Sequence, residues 1–254
     1  MILSPNGKFI EALSQERFSS YEILCPTGKE SDLIGAYHWN LAICSSLYPF
    51  LQSAEIALRN SMHEALSNKF NTTEWYDLIS LNPVSKKKIE ETKQELIRHQ
   101  KPTTAPNIVA SLTFGFWEKL LSHRYYANQD NPYCLWPHLI PDVFPDYKIE
   151  NRSARKQIAK RFGEIKNLRN RLFHHEPIWK FKNRNTAEKN IASLITVFND
   201  MVKAIGWISK EKKQYLRAFG FVSSFRELCD ISCLEKYKQI SREKSLDSLN
   251  REPK

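Results

Sequence analysis

The chain has 254 residues, with 38 Lys/Arg against 28 Asp/Glu, and 41% of it is apolar. That apolar share suits a folded protein and argues against disorder over most of the chain. Seven glycines make about 3%, against a usual share near 7%. No G-x-x-x-x-G-K-[ST] or G-x-G-x-x-G stretch occurs, which argues against P-loop NTPases and Rossmann dehydrogenases.

The start, MILSPNGKFIEAL, lacks the apolar core of an export signal. The run at 41–51 is too short to span a bilayer, and 191–208 carries Asn199, Asp200 and Lys203. Both read as buried helix faces, so no membrane segment is expected. The five cysteines (25, 44, 134, 229, 233) are odd in number, scattered, and form no C-x-x-C pair. Neither a disulfide framework nor a zinc site is expected, no cofactor is implied, and a reducing cytoplasm is the natural setting.

In chain order the sequence predicts helices throughout. Ser31-Asp32 starts a helix over 32–69 whose apolar positions (Leu41, Ile43, Leu47, Leu51, Ile56, Leu58, Met62, Leu66) suit burial, with a bend at Pro49. Asn82-Pro83 opens a charged helix to about Gln100. A break at 101–106 precedes short helices near 106–111 and 115–127, then a proline-rich connector at 128–148 with one helical turn. From Asn151, Ile158, Phe162, Ile165, Leu168 and Leu172 recur at spacings of 3 and 4, one apolar stripe of a helix that Pro177 stops. A further helix covers 184–206, ending at Gly206, and 209–240 reads as two or three short helices before a polar, loosely held tail at 241–254. The predicted organisation is a single all-α domain at 1–208 with a helical C-terminal extension at 209–254.

The positive charge is concentrated: residues 148–189 hold 13 Lys/Arg and 4 Asp/Glu. Such a stretch attracts polyanions, above all nucleic acid, although a solvated helix face has the same composition. Lys156, Lys160, Arg161 and Lys166 fall largely off the apolar stripe and are candidate RNA contacts.

Within that segment, Leu168-Arg-Asn-Arg-Leu-Phe-His-His-Glu176 contains R-N-x-x-x-H. RNA is cut without metal when a base removes the 2′-OH proton and a cation stabilises the crowded phosphorane. Histidine suits the proton transfer, with an unperturbed pKa near ~6.5. Arginine offers a permanently charged fork for phosphate oxygens, and asparagine can orient either partner. On an ideal helix Arg169 and His174 stand ~140° apart, whereas Arg171 and His175 stand ~40° apart. Unwinding before Pro177 could unite the first pair. The plain alternative is a helix-terminal histidine facing the dipole and an arginine paired with a glutamate. The segment Glu55…Arg59-Asn60-Ser-Met-His63 echoes the motif with a shorter spacing. It is either a degenerate second half-site or a brace for the buried interior. Phe114, Phe116, Trp117 and Trp136 could stack bases, but core packing is the better reading. Gly115 between two aromatics suggests close helix approach.

Four ordered segments resemble the abortive-infection (Abi-like) proteins of bacteria, a branch of the HEPN superfamily. They are Tyr37-His-Trp-Asn-Leu…Glu55-Ile-Ala-Leu-Arg-Asn60, Leu112-Thr-Phe-Gly-Phe-Trp117, Leu135-Trp136…Val143-Phe-Pro145, and Leu168 to Pro177. The likeness covers about residues 30–206. It implies a HEPN-type helical bundle with added N- and C-terminal helices, and a metal-independent endoribonuclease toxin of phage defence. It further implies Arg169, Asn170 and His174 as catalytic residues, with Arg171, His175, Arg59 and Asn60 as further candidates. The expected partners are an RNA substrate, an RNA or protein antitoxin and a second copy in a homodimer. The alternative function is a non-catalytic RNA- or protein-binding module of the same fold.

Overall fold

The computed structural model describes residues 5–79, 81–126, 134–148 and 153–250, without the side chains of Pro5 and 246–250. The described residues form thirteen α-helices and no strand: α1 (Pro5–Leu13), α2 (Gln15–Ser19), α3 (Glu30–Phe70), α4 (Trp75–Leu78), α5 (Pro83–Arg98), α6 (Ala105–Ser111), α7 (Phe114–Leu120), α8 (Ile140–Val143), α9 (Ala154–Phe173), α10 (Ala187–Ile208), α11 (Lys210–Ala218), α12 (Phe221–Leu228) and α13 (Ile231–Asn250). The fold class is all-α. The first part of the connector expected at 128–148, residues 128–133, lies outside the described residues.

Local chemistry accounts for the element ends. The Asn82 side chain accepts from the Ser85 amide at 3.1 Å, and Pro83 occupies the first turn, where its missing N–H costs nothing. α5 stops at Arg98 because Gln100 turns left-handed (φ 55) and the Lys101 amide reaches back to the Leu96 carbonyl at 2.9 Å. α3 runs unbroken through Pro49. The predicted helix at 115–127 is shorter: α7 ends at Leu120 and a 3-10 turn covers His123–Tyr125. α10 continues past Gly206 to Ile208, so Gly206 lies inside the helix rather than at its cap.

The chain divides into two compact units, each assembled from separated segments. One comprises 1–49, 168–199 and 216–254; the other comprises 50–167 and 200–215. This differs from the expected 1–208 domain with an appendix. Residues 216–254 group with the first unit, and Leu216, Phe225, Cys229 and Leu234 are buried in it. There the Trp39 indole donates to the Leu228 carbonyl at 2.7 Å, and Phe198 stacks on Phe225 with centroids 3.8 Å apart. Tyr21, Trp39 and Trp179 form a buried aromatic cluster.

The first residues of the predicted tail, 241–245, are also held more firmly than their polarity suggested, and 251–254 lie outside the described residues. Arg242 on α13 makes a bidentate pair with the buried Asp32 at 2.6 and 3.0 Å, and Thr27 donates to the same carboxylate at 2.6 Å. Burial opposes the charge on Asp32, yet the bonds from Arg242 and Thr27 outweigh it and hold the carboxyl below its usual value. Ser245 bonds Asn6 at 2.9 Å.

In the second unit the core is built on Trp75, Trp117, Trp136, Phe144 and Phe162, all fully buried, with the Trp136 indole donating to the Leu120 carbonyl at 2.6 Å. Phe114, Phe116, Trp117 and Trp136 are therefore core residues and offer no surface for base stacking. A methyl group at Gly115 would meet only Thr113, at 3.8 Å, so no close helix approach explains that glycine.

α3 and α10 have the length and apolarity of membrane-crossing helices. Much of their apolar surface lies inside protein: Trp39, Ile43, Leu47, Leu51 and Leu58 on α3, and Leu194, Phe198, Met201 and Ile205 on α10.

Candidate active site and its basic groove

α9 forms because its apolar stripe has somewhere to go. Ile158, Phe162, Ile165 and Leu168 are buried, and Leu172 is half-buried. The helix ends in a Schellman turn. The His174 amide still bonds the Asn170 carbonyl at 2.9 Å, the His175 amide bonds Leu172 at 3.0 Å, and the Glu176 amide reaches back to Arg171 at 2.9 Å. His175 takes the left-handed position, φ 58. The ladder therefore holds through His174, and the chain departs from the helix only at His175. Asn170 and His174 sit one turn apart on the same face, while Arg169 keeps its ~140° offset from His174. Unwinding does not bring the first pair together.

The side chains follow this geometry. His174 is exposed. The Arg169 guanidinium lies 4.6 Å from the centroid of Phe173, whose ring is itself half in solvent. Arg171 is committed to the following loop. Its Nε bonds Glu176 at 3.2 Å, and one terminal nitrogen donates to the carbonyls of Pro177 and Lys180 at 2.6 and 2.9 Å. The guanidinium lies 5.6 Å from the Phe181 ring. Arg171 thus clamps the turn, whereas the His175 side chain is exposed and only its backbone takes part in the turn.

Other side chains fix the same turn, and the sequence did not mark them. Arg17 on α2 donates to the His175 carbonyl at 2.7 Å. The buried Asn40 on α3 accepts from the Ile178 amide at 3.2 Å. Asn190, wholly buried on α10, accepts from the Phe181 amide at 2.8 Å and donates to the carbonyls of Arg184 and Thr186 at 3.1 and 2.8 Å. Only buried position could have singled out Asn40 and Asn190, since both lie in ordinary helical sequence.

Beside this turn opens a groove of about 1040 Å³ within the first unit. Arg171, Lys180, Lys182 and Arg184 line it against one carboxylate, Glu176, with Phe181 and the α10 residues Ser193 and Thr196 also on its wall. The three cations at alternate positions 180, 182 and 184 were part of the basic excess but stood out by no helical stripe, because they sit on a loop.

The four cations expected to touch RNA on α9 separate into two kinds. Lys156 and Lys160 are exposed, the latter 3.9 Å from Glu164. Arg161 is paired with Glu164 at 2.7 Å and with Asp200 at 2.5 Å, and Lys166 with Glu118 at 2.7 Å. Those two are braces of the second unit.

The echo at 59–63 also belongs to the second unit. Arg59 bonds its exposed neighbour Asn60 at 3.0 Å, so neither residue braces the interior. His63 accepts the Trp75 indole proton at Nδ1, 2.9 Å away, and burial pushes its pKa below 6.5. That histidine is a structural acceptor.

All five cysteines are unbridged. Burial raises the thiols of Cys25 and Cys44 to about 11 and that of Cys229 to about 12, which leaves them protonated and poorly nucleophilic. Among the described residues no three His, Cys, Asp or Glu side chains come together in a metal-binding group. Comparison with known protein families, curated proteins and solved structures finds no match to this chain.

Proposed function

We propose that this chain is a metal-independent endoribonuclease that arrests growth, with Arg169, Asn170 and His174 as its working set and with an antitoxin to restrain it. The observation that supports this most is the last turn of α9. It holds Asn170 and an exposed His174 on one face, while the neighbouring Arg171 is used to fix the turn. His174 takes the 2′-hydroxyl proton, and the 2′-oxygen attacks the adjacent phosphorus. Positive charge from Arg169 stabilises the phosphorane. The bond to the 5′-oxygen then breaks as that oxygen takes up the proton held on the His174 imidazolium, leaving a 2′,3′-cyclic phosphate and a 5′-hydroxyl. Because Arg169 and His174 diverge around one helix, the reading includes a second copy of the chain whose set faces the first.

The test is cleavage of an end-labelled RNA in EDTA, with end-group analysis. Cleavage is expected to persist under chelation and to leave cyclic phosphate ends. His174→Ala should lose about 10²–10⁴-fold in rate with nearly unchanged RNA affinity. Arg169→Ala should lose both activity and part of the affinity. Normal cleavage by His174→Ala would sink the assignment. RNA binding by the wild-type chain without any cleavage would leave the binding-module reading in its place.

A further inference from the structure

We propose that the groove lined by Lys180, Lys182, Arg184 and Phe181 is a binding track for the phosphodiester backbone of single-stranded RNA. The identity of the polyanion rests on the ribonuclease reading; the groove's character as a polyanion site does not.

Three observations converge. The first is charge: four cations face one carboxylate in an open groove. Of these, Arg171 answers Glu176. Lys180, Lys182 and Arg184 pair with no carboxylate among the described residues, so their charge is available to a ligand. The second is preorganisation. A loop bearing three cations would ordinarily be mobile, and ordering it would oppose binding. Here the Phe181 amide and the Arg184 carbonyl are tied to one buried side chain, Asn190, and the Arg184 Nε is held by Ser193 at 3.1 Å. The loop backbone and the Arg184 guanidinium are held before any ligand arrives, and Lys180 and Lys182 extend from that backbone as exposed side chains.

The third is the kind of wall they stand on. Phe181 gives the groove an aromatic ring, and Ser20, Ser193 and Thr196 give it hydroxyls. Cations along one rim, a ring for a base and hydroxyls for phosphate or ribose oxygens are the ingredients of single-strand binding. An acidic protein segment would use the cations but not the ring. The volume, about 1040 Å³, lies just above the ~300–1,000 Å³ of small-molecule pockets, and the groove is open, as an extended polymer needs. Glu176, Pro177 and Arg171 belong both to its lining and to the turn that ends α9, so RNA lying in it runs beside the His174 turn.

The experiment measures binding of a fluorescein-labelled single-stranded RNA by anisotropy over a salt series, in the full chain carrying His174→Ala so that no cleavage intervenes. The triple variant Lys180→Gln/Lys182→Gln/Arg184→Gln is expected to weaken binding roughly 10- to 100-fold at low salt. It should also flatten the log–log salt slope by about 2, at ~0.7 for each phosphate left without its cation. Phe181→Leu should weaken binding with the slope unchanged, which separates stacking from charge. A second charge variant, Lys180→Glu/Lys182→Glu, leaves the Arg184–Ser193 bond in place and guards against misfolding, with thermal melts as the check. Wild-type affinity and slope in both charge variants would overturn the groove, whatever cleavage does. Groove-dependent RNA binding in a chain that never cleaves would uphold the track and defeat the nuclease reading. If the charge variants lose binding to a poly-glutamate peptide but keep RNA binding intact, the RNA assignment is overturned.

Discussion

His175 occupies a backbone conformation that glycine adopts freely and histidine does not, φ 58 at the residue after α9. The strain is tolerated because Arg17 grips its carbonyl and the Glu176 amide closes the turn. His175→Gly is therefore expected to stabilise the fold by about 0.5–1 kcal/mol, raising Tm by about 1–4 °C. It should leave cleavage intact if His174 is the base. A thermal melt paired with an RNA assay reads both, and loss of cleavage in a stabilised variant would transfer the role to His175. His63 gives a second residue-level expectation. Its folded pKa is below the 6.5 of the unfolded chain because burial disfavours the charged ring. Between those two values the unfolded state holds the extra proton, so stability falls as pH drops below 6.5. His63→Asn keeps an acceptor for Trp75 without a titrating ring. Its Tm should fall less than the wild type's between neutral and mildly acidic pH; identical falls would remove His63 from the acid sensitivity. The Arg-Asn…His run stood out in the sequence as a candidate site. Its division of labour did not, because the choice between Arg169 and Arg171 depends on Pro177 and Lys180 carbonyls that only the folded turn brings within reach.

Helices were readable in this chain because few glycines interrupt them, and their ends were less so for the same reason. Asn71, Gln100 and His175 close α3, α5 and α9 in left-handed geometry, so no glycine flags those stops. The one glycine predicted to end a helix, Gly206, lies inside α10. The polar pattern of 241–254 likewise concealed that Arg242 reaches a carboxylate buried on α3, a pairing 210 residues apart. Two glycines in helices separate local preference from packing. A methyl at Gly35 would fall 2.6 Å from the Lys238 backbone on α13, whereas one at Gly206 would meet only the flexible Lys213 side chain. Alanine gains about 1 kcal/mol over glycine in a helix, and overpacking costs about 1–3 kcal/mol. Gly206→Ala should be neutral to stabilising. Gly35→Ala should destabilise, because backbone on both sides leaves nothing to yield. Arg242→Ala strands the Asp32 carboxylate, and a loss of about 2–3 kcal/mol is expected at neutral pH. That loss should fade as pH falls through the lowered carboxyl pKa, where the pair's contribution disappears in the wild type too. Urea titrations measure all three. A loss under about 0.5 kcal/mol for Arg242→Ala would mean that the helix end is dispensable.

At the scale of the whole molecule, net charge concealed a division of roles. Of the basic residues at 148–189, Arg161, Lys166 and Arg171 neutralise carboxylates or hold loops, and the cations left over for a ligand include Lys180, Lys182 and Arg184. Composition located the region; the folded contacts chose the residues. The same geometry bears on stoichiometry. On an ideal helix Arg169 and His174 stand ~140° apart, and the proposed site is therefore one that a second copy completes. If two copies of the segment face each other, the arginine of one can serve the histidine of the other. The decisive test mixes two dead proteins. Arg169→Ala chains retain the histidine and His174→Ala chains retain the arginine. After denaturation and co-refolding at equal concentrations, about half the dimers pair one of each, and each of these holds one intact composite site of two. Cleavage should recover to about a quarter of the wild-type rate, and should fall on dilution as dimers separate. A mixture as inactive as its parts, with mixed dimers present by native mass spectrometry, would show that each site draws Arg169 and His174 from the same chain. The turn at 171–176 would then have to rearrange on binding RNA.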